Sequence, residues 1–178
     1  MLLFLKKFVL ENKSNNNLKI SIMNKTILGL DRNNTESLVI NLNELLANFQ
    51  VYYQNLRGLH WNIKGKSFFE LHVKFEEFYT DSQDKIDLIA ERILTLGGVP
   101  IHTFDEYSAL SKVTVGRNIS NDVESVNLVI NSLAELLKIE RTILNESDDA
   151  NDEGTNSMMS DFIAEQEKTI WMLNAWLN

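Results

Sequence analysis

Four long stretches of the chain repeat their apolar residues in steps of three and four, the period of an α-helix with one buried face. The most regular runs Leu38, Leu42, Leu45, Phe49, Tyr52, Leu56, Leu59, Ile63 and predicts a helix over about Thr35–Ile63. Asn34 or Thr35 is its expected cap, and Gly65 permits the left-handed turn that ends it. Leu71, Phe75, Phe78, Ile86, Ile89, Ile93 and Leu96 carry the pattern over about Ser67–Leu96. Ser67 and Glu70 there read as a capping box, and Gly97, Gly98 and Pro100 as the stop. A third helix follows the cap Asn121-Asp-Val-Glu124, with Val126, Ile130, Leu133, Leu137 and Leu144 on its core face. A fourth begins near Thr155 and buries Met159, Phe162, Ile163, Ile170, Leu173 and Leu177, with the methionines and Trp171 as core filling.

The stretch of about Val99–Ile119 between the second and third helices is longer than an ordinary helix-hairpin loop. Asp105–Leu110 predicts a short helix inside it. A connection of that length crosses from one end of a bundle to the other and sets helices two and three parallel. The expectation is an all-α four-helix bundle with one long crossover.

The polar residues beside the second seam carry the chemistry. His72 and Glu76 stand four residues apart, as do Asp87 and Glu91. At about 100° per residue the four positions fall near 0°, 40°, 60° and 100°, one narrow stripe. Imidazole and carboxylates next to an apolar seam are costly to desolvate unless something compensates them, and a divalent cation does so. Nitrogen and oxygen donors suit Fe(II), Mn(II) or Zn(II); with no cysteine in the chain there is no thiolate for Cu(I) and no disulfide framework. The competing account pairs Asp87 and Glu91 with Lys85 or Arg92, and leaves Glu77, Asp81 and Asp84 as a solvated face. His102 reads as loop or surface.

Glu76 and Asp87 are eleven residues apart, about 16 Å along a helix. One metal site cannot span that distance within one chain. A two-fold axis crossing the helix near Asp81–Ser82 lays a second copy antiparallel, so the His72/Glu76 end of one chain meets the Asp87/Glu91 end of the other. The spacing therefore points to an intersubunit metal site.

The run from His60-Trp61-Asn62 through Gly65, Phe69, His72 and Glu76, followed by Asp87-x-x-x-Glu91-Arg92 and Leu96-Gly97-Gly98, resembles the Dps miniferritins, the DNA-binding proteins from starved cells. The likeness runs from about Leu42 to Leu177 and implies a ferritin-like bundle. It also implies an intersubunit ferroxidase centre, with His60, His72 and Glu76 from one subunit and Asp87 and Glu91 from its neighbour. Trp61 matches the family's tryptophan beside that centre. Where family members carry Asp or Glu, this chain has the longer Glu76. The family further implies a hollow shell of twelve subunits built from two-fold dimers, three-fold pores for iron entry, and hydrogen peroxide as preferred oxidant, with iron as the only cofactor and no haem. Asp148, Asp149 and Asp152 are the candidate pore acids; the competing reading is a hydrated loop with helix-capping acids. Conventional ferritins place a Glu-x-x-His pair inside one bundle. Here the residues three before each histidine are Arg57, Phe69 and Val99, which excludes that arrangement.

Charge divides the chain. Its net charge of −8 disfavours a body that holds nucleic acid by electrostatics and favours cation attraction. Residues 1–34 read as a tail preceding a bundle domain over 35–178. Lys6, Lys7, Lys13, Lys19 and Lys25 against Glu11 make residues 1–25 basic, which suits a DNA-binding arm. Alternatively translation starts at Met23, and the remainder then carries −11, because residues 1–22 hold four lysines and one glutamate. No secretory signal or membrane span is evident, so the expected location is cytoplasmic or nucleoid-associated. The expected activity is Dps-type oxidation and storage of iron. The alternative is a non-enzymatic DNA-compacting or structural shell whose metal site is vestigial or holds zinc.

Overall fold

The computed structural model describes residues 24–178. The basic tail and the alternative start at Met23 lie outside them, apart from Lys25. Five helices make up the described part: α1 Arg32–Asn62, α2 Phe68–Thr95, α3 Phe104–Leu110, α4 Asp122–Asp149 and α5 Glu153–Leu177. Side-chain ties at the helix ends set their directions. The hydroxyl of Ser67, before α2, lies 3.2 Å from Asp122 at the start of α4, and Arg92 near the end of α2 pairs with Asp152 beyond the end of α4. The helices α2 and α4 are therefore parallel, as the long connection required. On α1, Asn41 donates to Glu146 late on α4, and on α5 the Trp176 indole donates to Glu70 early on α2. Both contacts mark antiparallel neighbours. The fold is a ferritin-like four-helix bundle whose crossover contains the short helix α3.

The first apolar seam is buried throughout, from Leu38 to Ile63. The α1 cap differs from expectation: Asp31, not Asn34 or Thr35, accepts from the Asn33 amide. Gly29 turns the chain at a φ of 81°, Asn24 donates to Asp31, and the helix gains a turn upstream. Thr35 is buried instead, its hydroxyl bonded to the Arg32 carbonyl. The capping box at Ser67 is absent. Ser67 has a ψ of 14°, not the extended backbone that aims a cap side chain at the first turn. Both members of the expected box serve tertiary contacts, to Asp122 and Trp176. A capping box forms at Thr103 and Glu106, opening α3.

The crossover is pinned along α1 by three asparagines. Asn43 donates to the Val99 carbonyl and accepts from the Ile101 amide. The fully buried Asn48 accepts from the amides of Lys112 and Val113. Asn55 donates to the Thr114 carbonyl and accepts from the Gly116 amide. A non-repetitive backbone against a helix has no ladder to satisfy it, and these amides supply its partners.

The α4 core face is rotated from the expected one. Val126 and Leu133 are buried, but Leu136 and Ile143 fill the core while Ile130, Leu137 and Leu144 are half-buried. Leu136-Leu137 and Ile143-Leu144 are apolar pairs, so period alone fits either of two adjacent stripes. On α5, Met159, Phe162, Ile163 and Leu173 are buried, with Ile170 and Leu177 packed beside the core. Trp171 and Met172 are exposed rather than core filling, since they face away from the Met159–Leu173 stripe.

The bundle interior contains charge. Lys85 is 4% exposed; it pairs with Asp81 and Glu165, and its ammonium lies 5.3 Å from the Phe162 ring centre. Asp81 is thus an ion-pair partner rather than part of a solvated face. Glu140 is fully buried: one oxygen accepts from the Gln166 amide nitrogen, while its Oε2 and the Gln166 Oε1 have no partner. One proton on Glu140 Oε2, donated to Gln166 Oε1, closes an acid–amide pair and serves both atoms. Burial pushes the Glu140 carboxyl up to about 7, against the lowering pull of Gln166, Lys85 and Arg141. A carboxyl raised in the folded state stabilises the fold below its ordinary pKa and loses that contribution as pH rises through about 7. Glu140→Gln is therefore expected to flatten the pH dependence of the unfolding midpoint between about pH 5 and 8, removing a penalty on the order of 3 kcal/mol at the alkaline end. An unchanged slope in the variant would assign that dependence to other groups.

Candidate metal centre

The hairpin of α1 and α2 positions the histidines. Gly65, at a φ of 104°, turns the chain between the helices, so the last turn of α1 faces the first turns of α2. His60 and His72 stack there with ring centres 3.8 Å apart and planes 18° from parallel. Each ring bonds the other's backbone: His60 Nδ1 to the His72 carbonyl at 2.7 Å, and His72 Nδ1 to the His60 carbonyl at 2.8 Å. A carbonyl only accepts, so both Nδ1 atoms carry protons, and in the neutral imidazoles it is Nε2 that holds the lone pair. Imidazoles held by an outer hydrogen bond with the other nitrogen open are arranged as metal ligands usually are.

Two turns along the hairpin the same register places Tyr53 of α1 against Tyr79 of α2, edge to face at 6.1 Å. The Tyr79 ring also meets His60 edge to face at 5.5 Å, and its hydroxyl donates to Glu76 Oε1 at 3.2 Å. Partial desolvation, and then the Glu76 carboxylate, raise the Tyr79 phenol pKa, so it is a donor here. Tyr79 joins the imidazoles to Glu76. Sequence spacing offered a hint, since Tyr79 lies three residues after Glu76 and seven after His72. Trp61 is 59% exposed, with the Arg57 guanidinium 4.8 Å from its ring. Its indole N–H has no hydrogen bond among the described residues.

Asp87 and Glu91 are exposed on the same helix. The ion pairs of the competing account are not formed. Lys85 turns inward to Asp81 and Glu165, and Arg92 turns to Asp152. Neither Asp87 nor Glu91 has a side-chain ion pair among the described residues. Within the single chain, the described residues bring no three metal-binding side chains together. His60 and His72 meet at one end of α2, and the second carboxylate pair stands at the other. Two open imidazole nitrogens, the second oxygen of Glu76 and two unpaired carboxylates form a donor set that fits Fe(II) or Zn(II), divided between two ends of one helix.

Of the candidate pore acids, Asp148 and Asp149 are exposed at the end of α4. Asp152 is a correction. It is 3% exposed, pairs with Arg92, and caps α5 by accepting from the Thr155 amide and hydroxyl. Its carboxylate is committed inside the fold, the helix-capping role of the competing reading. Gly154 makes room: a Cβ there would meet the Arg92 guanidinium at 2.9 Å.

Comparison with known proteins bears on this arrangement. Residues 40–178 match the Ferritin family, described as a ferritin-like domain. The DNA protection during starvation protein of Porphyromonas gingivalis is 41% identical over 150 residues, 84% of this chain and 94% of its own. The chain belongs to the Dps family. Among solved Dps structures, the protein of Vibrio cholerae O1 is 48% identical with a TM-score of 0.85, covering 87% of this chain and 98% of that one. It is described as a member of a broad superfamily of ferritin-like diiron-carboxylate proteins. The Dps protein of Bacillus brevis is 35% identical with a TM-score of 0.80, covering 82% of this chain and 98% of that one. No described helix is long and apolar enough to cross a membrane.

The division of partners between Arg92 and Glu91 can be checked by stability. Arg92→Gln leaves Asp152 buried without its cation and is expected to cost about 3 kcal/mol in urea unfolding. A variant as stable as the parent would mean that Asp152 is solvated, and would return it to the candidates for a pore.

Proposed function

We propose that this Dps-family chain oxidises Fe(II) at a site shared between two subunits and stores the product as ferric oxyhydroxide inside a hollow twelve-subunit shell. His60, His72 and Glu76 of one subunit would hold the iron with Asp87 and Glu91 of the other. The observation that carries this reading is the reciprocal His60–His72 bonding, which leaves two Nε2 atoms open at one end of α2. Asp87 and Glu91, exposed at the far end of the same helix, supply what a two-fold related copy would bring.

The chemistry follows from the donors. Carboxylates offset the charge that grows as ferrous ion becomes ferric, while neutral imidazoles hold the ion without adding charge. Hydrogen peroxide is the proposed oxidant. Two ferrous ions give one electron each, the O–O bond breaks, and two protons are taken up to yield two waters. No hydroxyl radical is released, which protects the cell against iron and peroxide together. Iron is the only cofactor proposed, with no haem. Asp148 and Asp149, exposed at the end of α4, remain the proposed pore acids. The proposed location is the cytoplasm or nucleoid.

The relatives named DNA protection during starvation protein support a second reading, a shell that compacts DNA with a vestigial or zinc-filled metal site. The net charge of −8 weighs against binding through the bundle, so this reading depends on residues 1–25.

Anaerobic loading with Fe(II) followed by substoichiometric peroxide should give rapid ferric absorbance at about two Fe(II) per peroxide. His60→Ala/His72→Ala should slow it at least tenfold, and equal rates would overturn the proposal. The intersubunit claim has its own test. Assemblies refolded from His60→Ala/His72→Ala chains mixed with Asp87→Asn/Glu91→Gln chains contain dimers in which one site is wholly native. Activity is expected to return in the mixture while each parent remains inactive. A mixture as inactive as its parents would confine the site to one chain.

A further inference from the structure

We infer that Tyr79 is a positioning residue of the metal centre, fixing the carboxylate of Glu76 in place before an ion binds. The inference rests on the metal-centre reading above and adds a residue to it.

Glu76 is exposed, and a glutamate on an exposed helical face has freely rotating terms in its side chain. At a ligand position that freedom must be lost on binding, and the extra methylene relative to aspartate enlarges the loss. The Tyr79 hydroxyl, bonded to Glu76 Oε1 at 3.2 Å, removes part of it beforehand. The phenol can do this because its own ring is held from two sides. Tyr53 meets it edge to face at 6.1 Å with planes 88° apart, and His60 meets it edge to face at 5.5 Å with planes 85° apart. Tyr53 is steadied in turn by the Arg57 guanidinium, 5.4 Å from its ring centre.

Two further consequences follow from this placement. With Oε1 engaged by the hydroxyl, Oε2 is the Glu76 oxygen without a partner among the described residues. The same ring abuts His60, whose Nδ1 is already bonded to the His72 carbonyl. One residue therefore sets the separation between the imidazole pair and the carboxylate. The two histidines and Glu76 come from different turns of two helices, and Tyr79 is the side chain that touches two of the three. It would not contact the metal itself.

Cobalt(II) titration of the purified oligomer without iron or oxidant tests this through the visible ligand-field bands and the dissociation constant. Tyr79→Phe keeps the ring contacts and removes only the hydroxyl. It is expected to weaken cobalt binding about tenfold, the lower end of what removing an outer partner of a metal ligand usually costs, with an unchanged unfolding midpoint. In a Glu76→Ala background, which removes the acceptor, the same replacement should have no further effect on affinity, which a general packing role of Tyr79 would not produce. Tyr79→Phe binding cobalt as tightly as the parent, while His60→Ala/His72→Ala loses binding, would overturn the positioning role and leave the metal centre standing. An affinity loss that persists undiminished in the Glu76→Ala background would overturn it too. Full cobalt binding by His60→Ala/His72→Ala would remove the metal-centre reading and this inference with it.

Discussion

Two hydrogen bonds between imidazoles and backbone carbonyls hold the functional end of this molecule together. The last turn of α1 leaves carbonyls, that of His60 among them, without helical partners. His60 and His72 build a clamp there: His72 Nδ1 supplies the His60 carbonyl, His60 Nδ1 bonds the His72 carbonyl in return, and the rings stack at 3.8 Å. The clamp fixes the hairpin register, which repeats two turns away in the Tyr53–Tyr79 contact. It also fixes the tautomers. Lone pairs that would otherwise be shared between two nitrogens on each ring are confined to Nε2, so the same bonds serve both the fold and the donor set.

The distribution of charge complements that clamp. Every helix of the bundle carries acids, and their fate depends on where the cations go. Lys85 turns into the core to Asp81 and Glu165. Arg92 is drawn to Asp152 at the start of α5, where the absent side chain of Gly154 lets it approach. Glu140, fully buried, lies beside Gln166 with its carboxyl pushed up to about 7. The buried acids Glu140 and Asp152 thus have an amide and a guanidinium beside them. The exterior of α2 keeps Asp87 and Glu91 unpaired. In a fold one of whose relatives is described as a diiron-carboxylate protein, two carboxylates without an ion pair thus stand together on the outer face of α2.

The sequence was most legible where one physical requirement dominated. The α1 seam has an apolar residue at every helical step, and all of it is buried. The crossover length required parallel α2 and α4, because no shorter chain reaches. Legibility failed where a residue had two competing uses. Ser67 and Glu70 have the spacing of a local cap, yet Asp122 and the Trp176 indole claim them from across the bundle. Apolar pairs on α4 left its face ambiguous by one position. Trp171, large and apolar, looked like core but points outward. The asparagines at 43, 48 and 55 gave no signal, since nothing local says that a polar side chain on a helix will satisfy a loop running beside it. At the candidate centre, spacing brought out His72, Glu76, Asp87 and Glu91. The mutual bonding of the histidines and the role of Tyr79 depend on hairpin register, which spacing along one helix does not encode.

The separation of the donors has a thermodynamic consequence on the proposed reading. Glu76 and Asp87 lie about 16 Å apart along a rigid helix, so no local rearrangement completes the site within one chain. Binding of the ion and association of the subunits are then one equilibrium viewed from two sides, and each strengthens the other by the same free energy. A monomer has two imidazoles and one carboxylate, too few to compete for iron. A dimer would have two complete sites, each spanning the interface, and assembly would then decide where oxidation takes place. The exposed apolar residues near both ends of α2, Phe69 and Val73 at one and Leu88 and Leu94 at the other, fit this demand. An antiparallel copy would set each apolar end against the other, so the contact sheltering these side chains would be the one that unites the ligands.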